Sequence, residues 1–189
     1  MAFLDPDGLA AMGFASLGEN VLVSDKASIH GAARITLGSN VRIDDFCVIS
    51  AGAGGINVGS HVHIAAGASL IGAGLITLED FCNISGRVSI YSSSDDYSGA
   101  TMTNPMVPDP FKDVTTDPVR LGRHVIIGCG SVILPGADLD DGCAVGALSL
   151  VSGIWPRFTV LAGAPAKRLR SRKQDLLDLE RQFLASLQA

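Results

Sequence analysis

The chain has 189 residues, 47% of them hydrophobic but only 5% aromatic, with 22 glycines and a formal charge of -5. That length fits one domain. The acidic balance argues against a nucleic-acid binder, which shows a basic stripe, and no apolar run reaches membrane-spanning length.

From the N-terminus, Asp5 and Asp7 come with no basic start, so no secretory leader is expected. Asp5-Pro6 instead has the form of a helix cap and first turn, and Gly13 of a stop. A short helical cap over residues 1–16 is predicted.

From Leu17 onward, eighteen aliphatic residues fall on a six-residue grid in triplets: Leu17, Val23, Ile29; Leu37, Ile43, Ile49; Val58, Ile64, Leu70; Leu78, Ile84, Ile90; Leu121, Ile127, Ile133; Leu139, Val145, Val151. Four residues after most anchors sits a small or slim one, among them Val21, Ala27, Ala33, Cys47, Ala53, Cys82, Ser131, Ala137, Cys143 and Ser149. A six-residue period matches neither a helical turn nor a heptad. It matches one short strand plus one turn, and three such units close a triangular coil, so the repeat predicts an all-β parallel β-helix of about six coils over residues 17–154. Anchors and small slots point inward and the residue between them outward. Stacked coils lie about 4.8 Å apart.

The cysteines follow the same rule. Cys47, Cys82 and Cys143 take the small inward slot, and Cys129 follows a turn glycine. No CxxC pair or disulfide framework is present, and buried free thiols imply a reducing, cytoplasmic home.

The grid breaks between Ile90 and Leu121. Residues 91–120 have no period and several turn signals, yet carry Tyr91, Tyr97, Met102, Met106 and Phe111. A loop of that length with apolar content reads as functional, with a neighbouring subunit as one surface it could pack against. Residues 155–189 form a closing segment and a helix with Leu176, Leu179, Phe183 and Leu187 on one face, predicted to cover the open end of the prism. Lys167, Arg168, Arg170, Arg172 and Lys173 precede that helix, a solvated face or a phosphate site.

The runs Ile127-Gly128-Cys129-Gly130-Ser131-Val132-Ile133-Leu134-Pro135-Gly136, Val145-Gly146-Ala147 and Ala162-Gly163-Ala164-Pro165-Ala166-Lys167 resemble the C-terminal half of hexapeptide-repeat acyltransferases. They are most similar to sugar O-acetyltransferases of the galactoside/maltose type and their surface-polysaccharide relatives. The resemblance implies a single-stranded left-handed parallel β-helix, a homotrimer, and acetyl-CoA as acyl donor with no metal. It also implies transfer to a sugar hydroxyl in lipopolysaccharide O-antigen or capsule biosynthesis. Carried over by position, Gly128, Ser131, Ala144, Gly146, Ala147 and Ser149 would line the donor's pantetheine arm, and Lys167 and Arg168 would meet its phosphates. Side-by-side prisms create the clefts that one prism lacks.

In that family the base is a loop histidine, and residues 91–120 contain none. The grid offers a substitute. The outward residue before each second anchor forms a column, Leu22, Arg42, His63, Asn83, Ile126, Ala144, which makes His63 and Asn83 neighbours about 5 Å apart. His63 is expected as general base, an imidazole being suited to proton transfer near neutrality, and Asn83 as the group orienting substrate or polarising the thioester. Asp95 and Asp96 would bind sugar hydroxyls, orient His63 across the cleft, or take the proton from an amine acceptor; a plain turn is their structural role. Tyr91, Ser94 and Tyr97 are candidate substrate contacts. His30, His61 and His124 fall at turns and read as solvated.

Three alternatives stand beside O-acetylation. N-acetylation of a nucleotide-linked amino sugar needs less basic assistance, since a neutral amine is already nucleophilic. A γ-carbonic-anhydrase-like metal enzyme would need three histidines, but His61 and His63 alternate across a strand. A non-catalytic trimeric scaffold would bind no acetyl-CoA.

Overall fold

The computed structural model describes residues 2–187. Short parallel strands follow one another around a three-sided prism. The first wall stacks Ser16–Leu17, Ile35–Leu37, Ile56–Val58, Ile76–Leu78, Val119–Leu121, Asp138–Leu139 and Ile154–Trp155. The second stacks Leu22–Val23, Arg42–Ile43, His63–Ile64, Asn83–Ile84, Ile126–Ile127, Ala144–Val145 and Thr159–Ala162. The third stacks Ser28–His30, Val48–Ala51, Ser69–Gly72, Ser89–Tyr91, Val132–Ile133 and Leu150–Val151. The fold is a left-handed parallel β-helix of about seven turns, one more than the anchors alone count.

The grid residues make the core. All the anchors except Leu17 and Ile29, both near the N-terminal end, are buried. The residues between triplets contribute too. Ile35, Ile56 and Ile76 are fully enclosed, because the first-wall strands are long enough to turn two side chains inward. Ala33 and Ala53 are exposed instead, one in a single-turn 3-10 helix and the other in a glycine-rich turn where the chain bulges from the wall.

Helix α1 (Pro6–Ala11) starts as predicted, with the Gly8 amide donating to the Asp5 carboxylate at 2.8 Å. Leu4, Leu9 and Phe14 pack against the N-terminal end of the core. Helix α2 (Leu176–Ser186) does not lie over the open end. It docks along the corner between the first and second walls, where His61, Phe81 and His124 stack one above another. Ring centroids are 5.0 Å apart for His61–Phe81 and 4.8 Å for Phe81–His124, with the ring planes nearly parallel, and Phe183 meets His61 edge-on at 5.2 Å. Glu180 binds both Arg123 and His124. The expectation of solvated histidines therefore fails for His61 and His124, because the helix covers their corner; His30 is exposed. The C-terminal edge carries a strand the period does not announce, Lys167–Ser171, antiparallel to Thr159–Ala162.

Residues 91–120 are not structureless. Ser93–Asp95 pairs antiparallel with Val114–Thr116, so the excursion leaves and re-enters the prism as a two-stranded ribbon. Its tip exposes Tyr97, Met102, Met106 and Phe111. Among the described residues no helix is long and apolar enough to cross a membrane.

Candidate functional site

The outward column on the second wall has the register read from the repeat. Leu22 pairs with Arg42, Arg42 with His63, His63 with Asn83, Asn83 with Ile126 and Ile126 with Ala144. Asn83 is exposed and His63 partly so. What the repeat did not reveal is Asp44. It follows the buried anchor Ile43, and its own nearly buried carboxylate is held by its neighbours: Oδ2 lies 2.8 Å from His63 Nε2, and Oδ1 accepts from Arg42 Nε at 2.6 Å. Burial pushes the Asp44 carboxyl up, but the hydrogen bonds from His63 and Arg42 outweigh it and hold the group below the ordinary aspartate range. Within the chain the partner of His63 is thus Asp44. The i, i+2 spacing of Arg42 and Asp44 beside the column was the available signal.

The excursion ribbon builds a cavity of 390 Å³ against the third wall, lined by Tyr91, Ser93, Ser94, Asp95, Tyr97, Val132, Leu134 and Pro135. Tyr91, Ser94, Asp95 and Tyr97 are thereby brought together. Asp96 is not among them. Its Oδ1 accepts the Ser98 amide at 2.7 Å and its Oδ2 accepts the Thr101 amide at 3.0 Å. Hydrogen bonds from Ser98 and then Thr101 pull its carboxyl down to about 2. It is a poor proton acceptor already committed to shaping the loop, which is the plain-turn role weighed for it.

The outward face of the third wall changes character along its length. Ser69 and Ser89 are followed in register by Val132 and Leu150. Hydroxyls occupy the two coils just before the ribbon, and branched aliphatics the two just after it. Ser131 and Ser149 do not face this surface. Both are buried, and both hydroxyls donate to the Gly146 carbonyl, at 3.0 and 2.7 Å, while Ser149 also accepts the Gly163 amide at 3.0 Å. Their hydroxyls bind one coil to the next. Gly128 and Gly146 lie at the same corner. A Cβ on Gly128 would come within 2.4 Å of the Ala147 amide, so the coils there stack backbone on backbone. Ala144 and Ala147 keep that surface low. Lys167 and Arg168 are exposed on the terminal strand, and the turn before it is held over the third wall by the Ala166 amide donating to Leu150 O at 2.8 Å. Among the described residues no three His, Cys, Asp or Glu side chains gather to hold a metal.

No family model matches the sequence. The chain is 52% identical over 186 residues to the dTDP-4-amino-4,6-dideoxy-D-glucose acyltransferase of Escherichia coli, covering 98% of this chain and 97% of that one. Among solved structures it superposes on AntD, an N-acyltransferase from Bacillus cereus in complex with dTDP and 3-hydroxybutyryl-CoA. The TM-score is 0.95 at 40% identity, with 99% of this chain and 98% of that chain covered. A serine variant of AntD in complex with dTDP-4-amino-4,6-dideoxyglucose and coenzyme A superposes with a TM-score of 0.91 at 39% identity, covering 98% of each. These relatives overturn the expectation of a sugar hydroxyl as acceptor. They match nearly the whole chain, excursion ribbon included, and their acceptor is an amino sugar on a nucleotide.

Proposed function

The chain belongs to the hexapeptide-repeat acyltransferases, and from that premise we propose that it transfers an acyl group, acetyl included, from coenzyme A to the amine of a dTDP-linked 4-amino-4,6-dideoxy sugar. The observation that carries this reading is similarity across the full length to proteins named for that acceptor and crystallised with coenzyme A.

The polarity of the third wall supports it. The aliphatic stretch at Val132 and Leu150 suits a pantetheine arm, running toward Lys167 and Arg168, whose charges suit its phosphates. Gly128, Ala144, Gly146 and Ala147 leave backbone accessible along that path. The hydroxyl-bearing stretch suits the sugar, with Tyr91, Ser94 and Tyr97 as contacts. Amine and thioester would then meet at the cavity beside Asp95. The nitrogen lone pair attacks the carbonyl carbon, a C–N bond forms, and the C–S bond breaks. Asp95 takes the proton the nitrogen sheds and returns it to the departing sulfur.

We assign the working form to a homotrimer, since a convex prism gains a deep cleft only when copies pack side by side. The third wall of one copy then faces the second wall of the next, where Asp44 holds His63 and Asn83 stands one coil above it. In that cleft His63 and Asn83 bind and orient the acceptor. The test is to offer the purified protein acetyl-CoA with dTDP-4-amino-4,6-dideoxyglucose, and separately with maltose and galactosides. Release of free thiol with the amino sugar alone is expected; turnover with the hydroxyl acceptors alone would overturn the reading.

A further inference from the structure

The corner between the first and second walls ends on an arginine that holds three coils at once. The pairings His63–Asn83–Ile126–Ala144–Val160 put His61, Phe81, His124, Gly142 and Phe158 in one column, each two residues before its strand residue. All five have positive φ, between 54° and 69°. Arg172 takes the last three carbonyls of that column. Its Nη1 donates to His124 O at 2.8 Å and to Gly142 O at 3.0 Å, and its own amide donates to Phe158 O at 2.7 Å. It makes no ion pair among the described residues, and burial pushes its pKa down, so these carbonyls are what the guanidinium is held by. Arg172 directly follows the terminal strand Lys167–Ser171, which is exposed along its whole length and paired on one side only. That strand is irregular: Arg170 stands opposite Val160 and Arg168 opposite Leu161, leaving Leu169 as the extra residue of a bulge. The Ala166 amide fixes its near end on Leu150 O, and Arg172 fixes its far end. The two ends communicate, since Arg168 Nη2 donates to Ser171 Oγ at 3.1 Å.

We propose that Arg172 is a positioning residue for the acyl donor: by holding three corner carbonyls it sets the register of the Lys167–Ser171 strand, and so where Lys167 and Arg168 meet the phosphates of coenzyme A. A bulged edge strand with one neighbour is free to slip, and a slip of one residue turns every side chain to the other face. With the far end pinned, the bulge stays at Leu169 and Arg168 stays beside Ser171. The Arg172 guanidinium itself sits at the corner of the first and second walls, whereas the proposed donor arm follows the third, so its effect passes through the strand. His124 ties the strand to helix α2 as well, its carbonyl held by Arg172 and its ring by Glu180. The inference rests on the proposed donor path and adds what fixes its phosphate end.

The test compares two donors, acetyl-CoA and S-acetyl-pantetheine, which keeps the arm and thioester but has no phosphate. Both are given with the dTDP-linked amino sugar to the intact protein, to R172A, R172Q and R172K, and to K167A/R168A, with folding followed by circular dichroism. Arg172→Ala should raise KM for acetyl-CoA about tenfold or more, and leave kcat and the KM for S-acetyl-pantetheine within about twofold. Arg172→Lys should recover most of the loss, because a single nitrogen makes both side-chain bonds. Added to K167A/R168A, R172A should raise KM for acetyl-CoA no further, since both changes act on the same contact. Arg172→Gln, which keeps a donor on a shorter stem, carries the comparison where R172A unfolds. If K167A/R168A uses acetyl-CoA with unchanged KM, the proposed donor path fails and this inference with it. If that variant is impaired and R172A and R172Q are not, the path stands and Arg172 does not set it. An equal rise in KM for both donors, or additivity with K167A/R168A, would mark a merely structural residue and overturn the inference.

Discussion

His63 Nε2 lies 2.8 Å from Asp44 Oδ2, with the Asp44 side chain 8% exposed and the imidazole 42% exposed. A half-open ring hangs on a nearly buried carboxylate, so its orientation is set from inside the wall. Nδ1 has no partner among the described residues.

Removing that support should separate orientation from folding. Asp44→Asn should lower acyl transfer about tenfold or more and alter the pH–rate profile, because the amide removes the charge beside the ring and leaves one acceptor oxygen where His63 and Arg42 had two. Asp44→Ala should also cost about 1–3 kcal/mol of stability by urea unfolding, since it strips the acceptor from two donors. The folded-state pKa of Asp44 is depressed. Its contribution is therefore present above the ordinary aspartate range and lost as pH falls through the folded value. The stability difference between the unsubstituted protein and Asp44→Asn should therefore shrink across that acid window.

Adjacent aspartates should behave differently. Asp95→Asn should lower kcat about a hundredfold with the KM for acetyl-CoA held. Asp96→Asn should instead raise the KM for the acceptor by loosening the ribbon tip, with kcat largely retained. Asp96 titrates at about 2 when folded. Its support for the loop should therefore persist down to the ordinary aspartate range and disappear as pH falls from there through about 2. Limited proteolysis within residues 96–101 across that range would show it.

One thiol should react in the native protein. Cys47, Cys82 and Cys143 are buried and Cys129 is exposed. Desolvation pushes the Cys82 thiol up to about 12 and raises those of Cys47 and Cys143. Titration with a disulfide reagent should consume one equivalent quickly and the other three only on unfolding; fast reaction of three or four would mean the core is open.

Helix α2 should be the first element released. None of its described residues is buried, so its hold on the prism comes from Glu180, paired with Arg123 and His124, and from Phe183 against His61 and Phe81. Glu180→Ala should cost about 1–3 kcal/mol locally. Amide exchange would show loss of protection in residues 176–186 with the prism strands unchanged.

Much of the prism was legible because its core has a period. Ile43, Ile64, Ile84, Ile127 and Val145 occupy one slot in five successive coils, and a slot that repeats can be counted along the chain. The same counting made His63 and Asn83 neighbours. It missed Asp44, which stands next to an anchor and is held by two polar contacts that have no period. It missed the excursion ribbon because antiparallel pairing of Ser93–Asp95 with Val114–Thr116 joins residues about twenty apart through turns that follow no repeat. Ser131 and Ser149 occupy inward slots, and the period did not show that their hydroxyls both go to the Gly146 carbonyl.

The amino-acid sequence alone determined the coil, its register and which faces are apolar, because branched side chains at a six-residue spacing have one way to bury themselves together. It did not determine the side on which helix α2 lies, the partner of His63 within the chain, or the turn that Asp96 closes. Those depend on which groups far apart in the chain come within hydrogen-bonding or stacking distance, and only the assembled tertiary structure sets those distances.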